Sequence, residues 1–561
     1  MGIGGPCRGK GRFCALAARK KSFVEGAAVL AATIAIVKVI GALYKLPLYN
    51  ILDDSGTAYF GVAYNVYSLL LTVSTAGVPV AISRMIASEN ARGRIRQSER
   101  IFSVAMPAMV IIGAVFGGFM MVFCRQIANF MEEPGSYQAI FTLGPAVFFC
   151  CVIAVYRGYT QGHEDMIPTS ITQISEVVFK FILGLAVAFI LLKAGYSSGI
   201  VVSGAIFGVV VGLGVSIPIM AWYRRRALRR GSYRLECTDE SMDSRSSTLK
   251  EMLKITIPMT LSSSLLNLLT LIDVKVVMNR LKQGLMLTEL QADVEYATFT
   301  KAHTLFTLPS SLIVAVSISV VPAVAAAVAI RKYREAGAVM SRSLKLMNLF
   351  AMPAGVGMCV LAAPLYYSLY GTGSVKATAV MAILGIASYF VCFQLVSTAL
   401  VQASGHERIP LIAMAAGSIL KVIINYTLTG NPAFGIVGAP VSTLACYLTI
   451  SLVNMIGLKL RFPEKIPLAK AFLKPALCTA LMAVAAVGTF VVMKLIGLGD
   501  IGGSRLKATI GLFVSIGVAV IVYFAAVILL GGVTREEMSM LPKGDKIADK
   551  LHLKRTETED I

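Results

Sequence analysis

The sequence predicts an all-α polytopic membrane protein with 14 transmembrane helices: two six-helix lobes in parallel repeat plus two C-terminal helices. Three observations predict it. Of the 561 residues, 56% are hydrophobic and only 15% charged, against about 25% charged in soluble domains. The apolar residues come in runs of roughly 20 or more, the length that crosses a bilayer as a helix. The connections between those runs alternate between basic and charge-poor, as the positive-inside rule requires.

In chain order, spans are expected over 23–46, 59–82, 101–123, 138–160, 168–192, 199–223, 253–276, 298–327, 344–365, 377–401, 410–429, 434–457, 471–495 and 507–531. Residues 1–22 form a basic cytoplasmic N-terminus. The first span is too long for a cleaved signal peptide and contains Lys38, so it stays as a helix. With both ends inside, the inner connections and tails hold 38 of the 52 Lys and Arg, and the outer ones hold 10. Cations close to a span end are counted with the adjoining connection, and the other four are the lysines taken as intramembrane: Lys38, Lys180, Lys301 and Lys421. One helix more or fewer would scramble this alternation. The net charge of +22 therefore belongs to cytoplasmic loops, and no nucleic-acid partner is expected. The expected place is the bacterial cell membrane, multi-pass, with membrane lipids as neighbours.

The linker 224–252 carries Arg224-Arg225-Arg226 and Arg229-Arg230. It reads either as a topogenic signal on a solvated linker or as a lipid-headgroup contact. Residues 532–561 form a mixed-charge cytoplasmic tail. The ten cysteines sit mostly inside apolar runs and show no metal-ligand spacing, so neither a disulfide nor a metal site is expected.

Two signatures recur at one offset. Gly162-His163-Glu164 before Ile167-Pro168 matches Gly405-His406-Glu407 before Ile409-Pro410, and Pro79 matches Pro322; the Gly-His-Glu and proline pairs are each 243 residues apart. The repeat divides the chain into an N-lobe (23–223) and a C-lobe (253–457), with 471–531 appended. An even number of helices per lobe gives both lobes one orientation, related by an axis along the membrane normal. His163 and His406 occupy equivalent turns, as loop caps or as proton sensors.

An ionisable residue inside a span is a functional candidate. Lys38 lies about 15 residues into span 1, roughly 22 Å from its inner end, too deep to reach that interface; cavity lining and snorkelling to the outer headgroups are both open. Lys180 follows Glu176 by one turn, so the two can pair on one face or take part in ion or proton coupling. Lys421 has no acidic neighbour on its helix; Asn425, one turn on, is the nearest polar residue. Lys301 and His303 open span 8, and Asp273 closes span 7 with Lys275 and Arg280; interfacial anchoring and substrate contact both fit. Cations outnumber the acids Glu176 and Asp273 in this set, which suits an anionic substrate such as a phosphate.

The two-lobe repeat, the Gly-to-Pro connection after helix 4, and the segment Ser74-Thr75-Ala76-Gly77-Val78-Pro79-Val80-Ala81-Ile82-Ser83-Arg84 resemble the multidrug/oligosaccharidyl-lipid/polysaccharide exporter superfamily. Within it the chain is most similar to the stage V sporulation protein B and MurJ-like branch of lipid-linked oligosaccharide flippases. Fourteen helices favour that branch, because drug-extruding relatives have twelve. The resemblance implies alternating-access export of an undecaprenyl-diphosphate-linked cell-wall precursor, lipid II first, from inner to outer leaflet, in peptidoglycan or spore-cortex synthesis. It implies diphosphate contacts at Lys38 (in Lys38-Val39-Ile40-Gly41, matching the family's Arg-x-x-Gly), Lys45, Lys301 and His303, with Glu176, Lys180, Asp273 and Lys421 coupling or supporting. The family's arginine before the helix-8 proline is absent; Lys301 is the nearest cation. Helices 13 and 14 form a lipid-tail groove in such proteins.

No catalytic residue and no cofactor are expected; coupling to an ion or to the membrane potential is left open. The partners implied are the lipid-linked oligosaccharide and, as a further class, cell-wall synthesis proteins. The rival readings are a flippase for another lipid-linked polysaccharide, a cation-coupled multidrug exporter of the same superfamily, and a membrane-embedded transferase. The multidrug exporter would need a buried acid that helix 1 lacks beyond Glu25. The transferase would need convergent acids or histidines on loops, and none cluster here.

Overall fold

The computed structural model describes residues 30, 33–34, 36–230, 242–406, 408–464 and 468–531. The basic N-terminus, the start of the first span with Glu25, residues 231–241 of the linker, Glu407 and the C-terminal tail lie outside the described residues. Every regular element among the described residues is helical. Among the described residues, eleven helices are long and apolar enough to cross a membrane. The three other expected spans coincide with helical residues 36–51 (α1), with Arg245–Asn279 (α9) and with Glu289–Ala329 (α10).

The chain divides into two compact units between Met278 and Asn279. In the first, α1 is followed by α2 (Asp54–Thr75), α3 (Val78–Ala91), α4 (Ile95–Val122), the short α5 (Cys124–Phe130), α6 (Tyr137–Gly162), α7 (Ile167–Lys193), α8 (Ser198–Arg230) and then α9. Asp53 caps α2 by accepting from Gly56 N at 2.8 Å, and Ser198 Oγ donates to the same carboxylate at 2.6 Å. This ties the starts of α2 and α8 together. The core of the unit lies where α3, α4 and α6 meet, around Ile82, Ile86, Ile101, Phe102, Met109, Val155 and Tyr159.

Two close backbone approaches set the spacing of the helices in this unit. Gly208 of α8 faces Gly184 of α7 so tightly that a Cβ on Gly208 would lie 2.4 Å from the Gly184 nitrogen; small residues let transmembrane backbones meet this way. Gly77, between α2 and α3, lies against α9, where a Cβ would fall 2.5 Å from Thr256 O. The Gly77 N–H donates to Thr260 Oγ1 at 3.2 Å, Ser68 Oγ donates to Asn267 Oδ1 at 3.2 Å, and Asn267 Nδ2 donates to Thr72 Oγ1 at 2.8 Å. The seventh span is thus bonded to the second, and it falls in the first unit by compactness although the sequence repeat opens the C-lobe with it.

The second unit runs through α10, α11 (Tyr333–Val360), α12 (Ala362–Tyr370), α13 (Val375–Ala403), α14 (Arg408–Thr429), α15 (Gly438–Arg461), α16 (Leu468–Leu495) and α17 (Arg505–Leu529). Its main core joins α10, α11 and α13 around Met340, Leu344, Met347, Cys392, Val396 and Leu400. The α16–α17 pair packs on α11 and α12 through Cys478, Met482, Leu512 and Tyr523, whose hydroxyl donates to Leu349 O at 2.6 Å.

The repeat reappears as matched turns. α6 ends with Glu164 in the left-handed region (φ 64°), Glu164 N donating to Gln161 O and Asp165 N to Thr160 O. α13 ends with Gly405 at φ 85°, Gly405 N donating to Gln402 O and His406 N to Val401 O. Both are Schellman endings. The turning residues are Glu164 and Gly405, not the Gly162 and Gly405 that sequence spacing aligns. Gly162 is the last residue of α6, where a Cβ would meet Ile86 Cβ at 2.7 Å; it is needed for packing, not for the turn.

Candidate functional site

In the first unit, cations and tyrosines converge between α1, α2, α6 and α7. Tyr44 of α1 is fully buried, and its hydroxyl donates to Ala205 O of α8 at 3.1 Å. That bond sets the rotation of α1 against the Gly184–Gly208 contact. One residue on, Lys45 Nζ stands 5.7 Å from the Tyr64 ring centroid. Lys180 of α7 is 9% exposed; its Nζ donates to Tyr64 Oη at 3.2 Å and lies 4.9 Å from the ring centroids of both Tyr44 and Tyr64. Tyr64 is held in turn by Phe60, stacked at 5.4 Å, and by Tyr67 edge-on at 5.6 Å. Two ammonium groups therefore meet at one tyrosine, and among the described residues neither has a carboxylate at ion-pair distance.

Glu176 lies one turn before Lys180 but turns to a different partner. Arg157 Nη2 of α6 donates to Glu176 Oε1 at 2.7 Å, with the two side chains 22% and 19% exposed. The expectation that Glu176 could neutralise Lys180 on one helix face is corrected by this pair: a guanidinium from the neighbouring helix takes the carboxylate. Beside it, Tyr67 Oη and Cys150 Sγ are 3.5 Å apart, and the Gln173 Oε1 atom is buried without a hydrogen-bond partner among the described residues. Lys38 lies two turns before Lys45 on the same face of α1, about 10 Å along its axis, and is exposed. Asp273, on α9, is buried in the first unit, and Lys275 stands over the Phe130 ring.

Lys301, His303 and Lys421 belong to the second unit. Lys301 is buried, its Nζ 6.0 Å from the Tyr370 ring centroid, and Tyr370 Oη donates to the Lys301 carbonyl at 2.9 Å. His303 sits between Phe299 and Phe306, with ring centroids 5.6 and 4.9 Å away. Lys421 is half-buried on α14, where Thr429 Oγ1 donates to Asn425 at 2.6 Å. His163 closes α6: its Nδ1 donates to Tyr159 O at 2.9 Å, and burial pushes its imidazole below the ordinary value.

The polysaccharide biosynthesis protein family model matches residues 23–328. The chain belongs to this family. Bacillus subtilis holds three similar proteins: the uncharacterized membrane protein YabM, 24% identical over 93% of this chain and 96% of its own; lipid II flippase MurJ, 22% identical over 72% and 77%; and stage V sporulation protein B, 23% identical over 78% and 83%. Among solved structures, lipid II flippase MurJ in an inward closed conformation matches with a TM-score of 0.63 at 16% identity, covering 89% of this chain and 98% of that one. An inward-facing multidrug MATE transporter of the MOP superfamily gives the same score and identity over 78% and 98%. This family member shares its fold with these membrane transporters, and among its described residues eleven helices are long and apolar enough to cross a membrane.

Arg157, Tyr44 and Tyr64 are the parts of this family member's site that sequence reasoning misses. Arg157 falls among the cytoplasmic cations in the charge tally because it lies close to the inner end of its span. The usable signal is its place inside the expected helix 138–160, which already makes it an intramembrane charge. The tyrosines carry no such signal, since aromatic residues on apolar helices are ordinary core. Chemically, the cluster is cationic: two ammonium groups on tyrosine rings. Cation–π contacts are worth about 0.5–2 kcal/mol each, whereas an ammonium at the middle of a membrane helix costs about 2.5–3.5 kcal/mol.

Proposed function

We propose that the chain flips an undecaprenyl-diphosphate-linked cell-wall precursor, lipid II, from the inner to the outer leaflet of the bacterial cell membrane by alternating access between two lobes. The observation that carries this reading is the meeting of Lys45 and Lys180 on Tyr64 with no carboxylate paired to either among the described residues. A diphosphate supplies the missing negative charge, and a desolvated site makes that attraction strong. Lys38 extends the cationic face along α1, Lys301 and His303 serve as the second unit's contacts, and Asp273 and Lys421 support or couple. Each contact drives the cycle only as far as it differs between the two facing states.

The similarity to lipid II flippase MurJ and to stage V sporulation protein B supports a lipid-linked glycan as substrate. The Arg157 pair removes Glu176 as the coupling acid of a multidrug exporter and leaves the buried Asp273 as the acid that reading would need.

The test is rescue of a bacterium depleted of its own lipid II flippase, using wild type and Lys180→Met at matched membrane levels. Growth with wild type and at least tenfold fewer survivors with the variant is the expected result. Equal rescue by both moves the anion seat away from Lys180. No rescue by a well-expressed wild type points to a different lipid-linked polysaccharide.

A further inference from the structure

Where α14 begins and α15 ends, the second unit carries a groove of about 280 Å³. Ile409 and Ile412 of α14 line it together with Ile456, Gly457 and Leu460 of α15, and so does Arg461, the last residue of α15. Gly457 sets the floor. It lies so close to Ile409 that a Cβ there would fall 2.7 Å from the Ile409 Cγ2 atom; small residues let membrane helices meet in this way. The walls are apolar and open, with Ile412, Ile456 and Leu460 each more than half exposed. Both helices are long and apolar enough to cross a membrane, so side chains exposed along them are solvated by hydrocarbon.

The charge at the mouth says which lipid fits. Arg461 follows Gly457 by four residues and Arg408 precedes Ile412 by four, so each stands on the groove side of its helix. Both arginines are exposed, and among the described residues neither has a carboxylate at ion-pair distance. Lys459 adds a third cation to the last turn of α15. This charge is not part of the repeat: the matching turn before α7 carries Asp165-Met166 ahead of Ile167-Pro168, where this one carries Arg408 ahead of Ile409-Pro410. The alternation of loop charge expects these ends inside, at the leaflet whose surface is negative. An occupant of the groove thus meets apolar walls over most of its length and two guanidinium groups at one end.

We infer that the groove between α14 and α15 holds a resident acidic phospholipid, its phosphodiester between Arg408 and Arg461 and one acyl chain along Ile412, Ile456 and Leu460. Guanidinium forks suit a phosphodiester because they donate two parallel hydrogen bonds. None of the residues assigned to the transported lipid takes part, so this site stands apart from the proposed flipping.

The chain has one tryptophan, Trp222, in the first unit, so Trp222→Phe/Leu460→Trp moves the whole tryptophan emission into the groove. This full-length reporter is purified and titrated in mixed micelles with phosphatidylglycerol or phosphatidylcholine carrying brominated acyl chains, which quench nearby tryptophan. Brominated phosphatidylglycerol is expected to half-quench it at a mole fraction lower by about fivefold for each contributing arginine. Adding Arg408→Gln/Arg461→Gln should bring the two lipids level, Arg408→Lys/Arg461→Lys should keep part of the preference, and Arg125→Gln, in the first unit, should keep all of it. If the glutamine pair fails to fold, the lysine pair carries the test, and an undiminished preference in it contradicts the guanidinium grip. Equal quenching of the reporter by the two lipids overturns the inference, as does a preference that survives the glutamine pair. Loss of the preference on adding inorganic phosphate at constant ionic strength would make the mouth a site for a soluble anion and overturns it too.

Discussion

Arg157 Nη2 donates to Glu176 Oε1 across 2.7 Å, joining α6 to α7 within two membrane-spanning helices. The pair takes up the carboxylate one turn from Lys180. Removing one partner of such a pair strands the other charge. Glu176→Gln is expected to cost about 3 kcal/mol, the low end for a buried pair, because each side chain keeps some exposure. Arg157→Met/Glu176→Met should cost less than either single change. Thermal unfolding of the purified variants measures this, and strictly additive losses would show that the two charges are not coupled.

Gly77 lets α9 cross the break between α2 and α3 at backbone distance. Gly77→Ala places a methyl group 2.5 Å from Thr256 O, and a backbone oxygen cannot turn aside. A loss of roughly 1–3 kcal/mol is expected from overpacking. Gly41→Ala, with nothing within 4 Å of its new carbon, should leave the unfolding midpoint unchanged.

His163 gives the fold a dependence on pH. Burial holds its imidazole below the ordinary value and neutral. The folded state therefore binds a proton less readily than the unfolded chain, so stability is full above the ordinary histidine value and falls as pH drops through it toward the lower folded value. His163→Gln should flatten the midpoint-against-pH curve between about pH 7 and pH 5. An unchanged slope would assign the dependence to other groups.

The helices are legible in the sequence because a bilayer demands long apolar runs and the loop charges alternate, and both signals survive without any knowledge of packing. The turns are legible only to within two residues. Gly162 and Gly405 align by spacing, yet Glu164 takes the left-handed conformation in the first copy because Gly162 is committed to packing against Ile86. Lys45 and Lys180 are visible as charges, but their environment is not. The tyrosines that receive Lys180 lie on α1 and α2, and Tyr64 is 116 residues away from it in the chain. Glu176 shows the same gap: the partner expected from helix periodicity sits one turn on, and the actual one comes from the neighbouring helix.

A diphosphate seated by Lys45 and Lys180 is tested most directly by comparing two lipids, undecaprenyl diphosphate and undecaprenol, which lacks the diphosphate. Binding of each is measured to the purified full-length chain and to Lys45→Met/Lys180→Met. Wild type is expected to prefer the diphosphate lipid by at least tenfold, and the double variant to lose most of that preference while binding undecaprenol unchanged. A wild type that binds both lipids equally, or a double variant with the preference intact, would contradict the diphosphate seat.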